Sequence, residues 1–122
     1  MMKVMVVDDS PTIRAMLVNL LSQHGLTVVE AEDGLIAKQL MKDLRPDLVI
    51  TDVVMPNMNG YELCRWVKNE IPGVPVILCS TKGEAFDRHW AMKQGGDAYI
   101  IKPFNSEEMM AAVRSLLQGA LP

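Results

Sequence analysis

Asp52 closes the apolar run Leu48-Val49-Ile50-Thr51 and opens the segment Asp52-Val53-Val54-Met55-Pro56-Asn57-Met58-Asn59-Gly60. A carboxylate at the end of a Leu/Val/Ile strand, just before a loop carrying Pro and Gly, is placed to react rather than to pack. Two other segments end alike. Val4-Met5-Val6-Val7 runs into Asp8-Asp9, and Tyr99-Ile100-Ile101 runs into Lys102-Pro103-Phe104. In an open parallel sheet the carboxyl ends of the strands form the ligand crevice, so three acids and one lysine would meet there. Three carboxylates in one crevice repel, and a hard divalent cation relieves the repulsion. Mg²⁺ characteristically takes one or two carboxylates, keeps several waters and binds phosphate oxygens. With metal and Lys102 screening an incoming anion, the Asp52 carboxylate could attack a phosphoryl group. That is covalent catalysis by a carboxylate, assisted by electrostatic stabilisation of the transferring group. Ser80, at the end of a fourth strand-like run, adds a hydroxyl able to bond a phosphoryl oxygen.

Each residue also has an ordinary reading. Asp8-Asp9 could be a helix-start cluster favoured by the dipole, and Asp52 could open an Asx-turn before Pro56. Lys102 could be a solvated strand end, and Ser80 and Thr81 a strand terminus and an N-cap. The conjunction favours chemistry, because every ordinary reading must hold at once, each at the same end of a different strand.

The elements that would position these groups are legible. Strand-like runs recur at Lys3–Val7, Thr27–Glu30, Leu48–Thr51, Val74–Ser80 and Ala98–Ile101. Most are near-continuous Val/Ile/Leu, as expected for strands covered on both faces. Between them Ile13, Met16, Leu17, Leu20 and Leu21 form one helical stripe, and Met109, Val113, Leu116 and Leu117 another. Ser10-Pro11 offers an N-cap with proline at the first helical position. Asn59…Glu62, Thr81…Glu84 and Asn105…Glu108 have capping-box spacing. Gly25 and Gly95-Gly96 follow helical segments where a left-handed residue is wanted. Strand-helix alternation repeated five times predicts an α/β doubly wound parallel sheet with right-handed crossovers.

The 122 residues fit one domain, 1–122, with no linker, repeat or low-complexity tract, and the tail Gly119–Pro122 is expected to fray. Although 49% of residues are hydrophobic, no stretch approaches the roughly 20 apolar residues of a membrane span. No signal peptide is recognised at the start, which leads directly into a strand. The net charge of −3, with scattered Lys and Arg, lacks the basic stripe of a nucleic-acid binder. Cys64 and Cys79 sit in apolar contexts without metal-ligand spacing and read as buried, reduced thiols of a cytosolic protein. The ten methionines read as core filling.

Taken together, the acidic pair Asp8-Asp9, Asp52-x-x-Met55-Pro56-x-Met58-x-Gly60, Pro75-Val76-Ile77-Leu78-Cys79-Ser80 and Lys102-Pro103-Phe104 resemble a response-regulator receiver domain. Stand-alone, CheY-like receivers are the nearest type, and the match covers essentially the whole chain. The resemblance implies a flavodoxin-like (βα)5 fold with a five-stranded sheet in the order 2-1-3-4-5. It implies that Asp52 is the phosphoacceptor, taking a phosphoryl group from a histidine of a sensor kinase or phosphotransfer protein. Asp9, Asp52 and the Val54 backbone carbonyl would ligate Mg²⁺, with Asp8 acting largely through a bound water. Lys102 would pair with the phosphoryl group, and its bond to Pro103 would be cis. Ser80 and Tyr99 match the family's switch pair. The output surface would be the fourth helix, fifth strand and fifth helix, roughly Gly83 to Leu117, acting on a separate protein. The chain would be a cytoplasmic monomer or a weak phosphorylation-dependent dimer, a signalling switch rather than an enzyme.

Val54 and Lys82 fall where such receivers often carry polar side chains that steer a hydrolytic water. Val54 cannot orient water, so slow self-dephosphorylation is expected. The stretch Lys82–Gly95 resembles receivers of pilus-driven motility and phototaxis. Within it Phe86 and Trp90 form either an exposed docking stripe or an inward one, and Ala85, His89 and Met92 form a competing stripe. His24 and His89 are expected on helix surfaces, with no phosphorylation role.

Two other readings stay open on the residues alone. A Mg²⁺-dependent phosphohydrolase with an aspartyl nucleophile would carry a second Asp two residues after the first, where this chain has Val54, and usually a cap insertion. A flavodoxin-like redox protein would carry a Ser/Thr/Gly-rich loop after the first strand, where Asp8-Asp9 would repel the FMN phosphate.

Overall fold

Five apolar runs form strands β1 (Lys3–Val7), β2 (Thr27–Ala31), β3 (Leu48–Asp52), β4 (Val76–Ser80) and β5 (Ala98–Ile101). They alternate with helices α1 (Pro11–Gln23), α2 (Gly34–Met41), α3 (Gly60–Glu70), α4 (Ala85–Lys93) and α5 (Ser106–Leu116). The structure, a computed structural model, describes residues 2–117. The tail Gly119–Pro122 lies outside the described residues. All strand pairs are parallel, in the order β2-β1-β3-β4-β5. The doubly wound sheet expected from the alternation is therefore present, with the implied strand order. The order reverses direction between β1 and β3, and their carboxyl ends flank the crevice where such sheets bind ligands.

The sheet separates two apolar layers. Met5, Val7, Val49, Val76 and Leu78 face Ala37 and Met41 of α2, Leu63, Cys64 and Val67 of α3, and Ala91 of α4. Val4, Val6, Leu48, Ile50, Ile77, Cys79 and Ile100 face Leu17 and Leu21 of α1 and Met109, Met110 and Val113 of α5. Successive residues of a strand point to opposite faces. Because both faces are covered, β1, β3 and β4 read as unbroken apolar runs rather than as alternating ones.

Local chemistry sets the ends. Ser10 caps α1 through the Ile13 N–H, and Asn59 and Glu62 exchange both bonds of a capping box at α3. Asn105 caps α5 through the Glu108 N–H. Gly25 and Gly95 take the left-handed conformation after their helices, at φ 79° and 99°. Gly96 serves differently: a Cβ there would lie 2.7 Å from Leu78 Cδ1.

Five expectations are corrected. β4 starts at Val76 rather than Val74, since Pro75 has no N–H to donate to a ladder and Val74 N–H closes a turn onto Ile71 O. β2 and β3 each run one residue longer, to Ala31 and Asp52, because Val7 and Cys79 pair with them. The Thr81…Glu84 box does not form. α4 begins at Ala85 with Glu84 as N-cap and no side-chain cap bond; Lys82 is kept out of the helix by Ser80 Oγ on its N–H and the Tyr99 hydroxyl on its carbonyl. Met16, at the margin of its stripe, is 47% exposed, while Leu17 and Leu21 carry the contact of α1 with the sheet.

Candidate functional site

The register of the central strands places the charged groups. Val7 pairs with Thr51, so Asp8 and Asp52 leave adjacent strands at the same level. Asp8 N–H continues the ladder to Ala31 O at 3.1 Å, and the residue is 2% exposed. Asp8 Oδ1 accepts from the Ser10 N–H at 2.9 Å, and Oδ2 accepts from Lys102 Nζ at 2.8 Å. Lys102 Nζ also lies 3.2 Å from Asp52 Oδ1. Asp9 is exposed, and one carboxylate oxygen from each of Asp8, Asp9 and Asp52 lies within 4.8 Å of the others.

The Asp52–Gly60 loop is folded tightly against its strand. Val53 N–H bonds Cys79 O at 3.0 Å, and Gly60 N–H returns to Val53 O at 2.8 Å. A Cβ on Gly60 would lie 2.1 Å from Asp52 O, so only glycine fits there. Val53 and Met55 point inward, whereas the Val54 side chain is 70% exposed. Asn57 takes φ 68°, and its amide donates to Asp33 Oδ2 at 2.8 Å. Asp33 in turn caps α2 through the Ile36 N–H. These two bonds, the Ile36 N–H first, hold the Asp33 carboxyl below the usual range despite its burial.

Lys102 N–H bonds Ser80 O at 2.8 Å, and the Lys102–Pro103 bond is cis, as the resemblance implies. Ser80 is buried at 5% exposure, and its Oγ accepts from the Lys82 N–H at 3.1 Å. Tyr99 is buried as well and donates its hydroxyl to Lys82 O. The Arg88 guanidinium lies 5.6 Å from the Tyr99 ring centroid, within cation–π reach. The main chain of Lys82 thus touches both residues of the expected switch pair.

Burial pushes the Asp52 carboxyl up; Lys102 opposes this, and the Asp8 charge adds to it. For Lys102 burial acts downward, but the bond to Asp8 and the charges of Asp52 and Asp8 together raise its pKa. The lysine is therefore a fixed cation. The donor set is all oxygen, which suits Mg²⁺, Mn²⁺ or Ca²⁺ rather than a soft metal. One oxygen from each of the three carboxylates lies within 4.8 Å of the others, close enough for a single hard dication to be shared among them. Together the groups can hold a dication and present one carboxylate oxygen to an incoming anion.

Asp8, Asp9, Asp52 and Lys102 thus converge as expected, and Ser80 and Tyr99 meet at Lys82. Three contributors were not foreseen: Asp33, Asn57, and Arg14, whose Nη1 donates to Asp8 O at 2.6 Å. Asp33-Gly34 carries an N-cap signal that could have been found. Arg14, one turn into a helix, looks in sequence like any surface charge. On α4 both candidate stripes face out. Phe86 is 72% and Trp90 45% exposed, Ala85, His89 and Met92 are exposed too, and only Ala91 is buried. His24 is exposed, with Nδ1 2.9 Å from Leu20 O.

The family model for the response regulator receiver domain matches residues 4–114. Protein PilG of Pseudomonas aeruginosa is 37% identical over 99% of this chain and 91% of its own length. Protein PilH of the same organism is 35% identical over 98% of this chain and 100% of its own. Among solved structures, Vibrio cholerae chemotaxis protein CheY4 is 31% identical, covers 96% of this chain and 99% of its own, and superposes with a TM-score of 0.89. Among the described residues no helix is long and apolar enough to cross a membrane.

Proposed function

The chain belongs to the response regulator receiver family of two-component systems, and from that premise we propose that residues 1–122 form one phosphorylation-controlled switch with Asp52 as its phosphoacceptor. The observation that carries the reading is Lys102 Nζ, 2.8 Å from Asp8 and 3.2 Å from Asp52 with Asp9 beside them, the groups being supplied by the ends of three strands, β1, β3 and β5. An Asp52 carboxylate oxygen attacks the phosphorus of a phosphohistidine on a sensor kinase or phosphotransfer protein. The new O–P bond forms as the P–N bond breaks, and the imidazole leaves with the electron pair and takes up a proton. Asp8, Asp9, Asp52 and the Val54 carbonyl would hold Mg²⁺, which neutralises charge on the phosphoryl oxygens when bound. Lys102, already held as a cation between two carboxylates, supplies the remaining positive charge.

The acyl phosphate adds about −1.5 to −2 charges and strong acceptor oxygens. Ser80 Oγ then exchanges the Lys82 N–H for a phosphoryl oxygen, to which it donates. That bond exists only in the phosphorylated state, so it biases one of two conformations. The Lys82 main chain carries the change to Tyr99 and on to α4, β5 and α5. Phe86 and Trp90 give that face an exposed aromatic stripe for a separate output protein. The likeness to chemotaxis protein CheY4, together with the resemblance of Lys82–Gly95 to receivers of pilus-driven motility and phototaxis, supports a role in one of these responses. The phosphohydrolase reading loses ground at Val54, whose exposed aliphatic side chain offers no acid or base.

Intact mass after incubation with Mg²⁺ and a small acyl-phosphate donor tests the proposal. One added phosphoryl group is expected, lost without Mg²⁺ and lost in Asp52→Ala. An adduct that persists in folded Asp52→Ala overturns the assignment of the acceptor.

A further inference from the structure

Asp9 is the least supported of the three acids. It is exposed, and among the described residues its carboxylate accepts no hydrogen bond. The aim of such a carboxylate depends on its own main chain. The peptide joining Asp8 to Asp9 is held from outside the loop: its carbonyl oxygen accepts from Arg14 Nη1 at 2.6 Å. The same guanidinium turns Nε to Glu30 Oε1 of β2 at 3.3 Å. Arg14 is as covered as Lys102, with side-chain exposures of 14% and 15%. Its own main chain is fixed in the first turn of α1, where its N–H bonds Ser10 O at 3.1 Å. A planar guanidinium with two anchored edges fixes the orientation of the peptide it grips, which a flexible ammonium does less well.

We infer that Arg14 is a positioning residue for the proposed metal site, bracing the Asp8–Asp9 peptide so that the Asp9 carboxylate is aimed at the cation. The inference rests on the receiver reading above. It also makes a prediction of definite sign. A guanidinium near a dication is repulsive, so if charge were its whole contribution, removing Arg14 would tighten Mg²⁺ binding. Bracing predicts the reverse.

Mg²⁺ binding to the full chain, measured by titration calorimetry on parent, Arg14→Met and Arg14→Lys, separates the two. Each calorimetric affinity is paired with the rise in Tm that Mg²⁺ causes over that variant's own metal-free Tm, so a general loss of stability cancels. Arg14→Met is expected to bind Mg²⁺ about tenfold more weakly, the usual loss when a group that orients a metal ligand is removed. Arg14→Lys, which keeps the charge and a donor but not the fork, should recover part of the loss. If Arg14→Met does not fold by circular dichroism, Arg14→Gln replaces it with the same change of charge. Parental or tighter affinity in the neutral variant overturns the inference, as does Arg14→Lys binding no better than that variant. A parent that binds no Mg²⁺ overturns the receiver reading itself and this inference with it.

Discussion

Burial and the neighbouring Asp8 charge push the Asp52 carboxyl up, and Lys102 offsets only part of that. The consequence for stability has a definite sign. In the metal-free fold Asp52 holds its proton more tightly than in the unfolded chain. Its contribution is therefore intact below the ordinary carboxylate range and declines as pH rises through the raised folded value. At neutral pH the ionised group works against the metal-free fold. Asp52→Asn in chelator should raise Tm at pH 7, by roughly 4 °C for each 1 kcal/mol relieved, and the gain should vanish near pH 3. Lys102 keeps Asp8 at 2.8 Å in that variant, so the cation is not left unpaired. A lower Tm at pH 7 would mean that the Lys102–Asp52 attraction outweighs burial. Val54 belongs to the same scale. Its exposed isopropyl group cannot orient water for attack on the acyl phosphate, so phosphate loss should take well beyond seconds. Val54→Asn should shorten it, measured as phosphate release from purified phosphoprotein. A parental lifetime of seconds, or a variant no faster than the parent, counts against this account.

At the scale of elements, the loop from Asp52 to Gly60 is held by its two ends. Gly60 closes onto Asp52, and Asn59 caps α3 with both bonds of the box made. Asn59→Ala removes a cap and should cost about 1 kcal/mol in urea unfolding; an unchanged midpoint would show that the box contributes nothing. This cap was readable from the Asn59…Glu62 spacing, because it depends on neighbours three residues apart. The same spacing at Thr81…Glu84 misled. There Lys82 is held outside the helix, by Ser80 Oγ on its N–H and, from β5, by the Tyr99 hydroxyl on its carbonyl, and α4 is delayed to Ala85. Strand limits shifted for a related reason: Asp52 joins β3 only because Cys79 lies beside it. Sequence periodicity sees one segment at a time, whereas pairing sees two.

For the whole molecule, sheet order turns scattered residues into a site. Asp8 and Lys102 are separated by 94 positions, yet they meet at 2.8 Å because β1, β3, β4 and β5 are parallel and their carboxyl ends share one edge of the sheet. That convergence was legible, since acids and a lysine at strand ends can be read off the chain. The Arg14–Asp8 and Asn57–Asp33 contacts were not, because they join loops and helices whose relative placement no local pattern encodes. The two cysteines have a consequence of another kind. Burial pushes the Cys64 thiol up to about 11 and Cys79 up to about 12, and the thiolate is the form that oxidants and disulfides engage. The chain has no other cysteine. Peroxide or a mixed disulfide therefore finds no sulfhydryl handle in the native fold. Oxidants that act through thiolates should therefore leave the switch proposed for Asp52 unaffected at neutral pH.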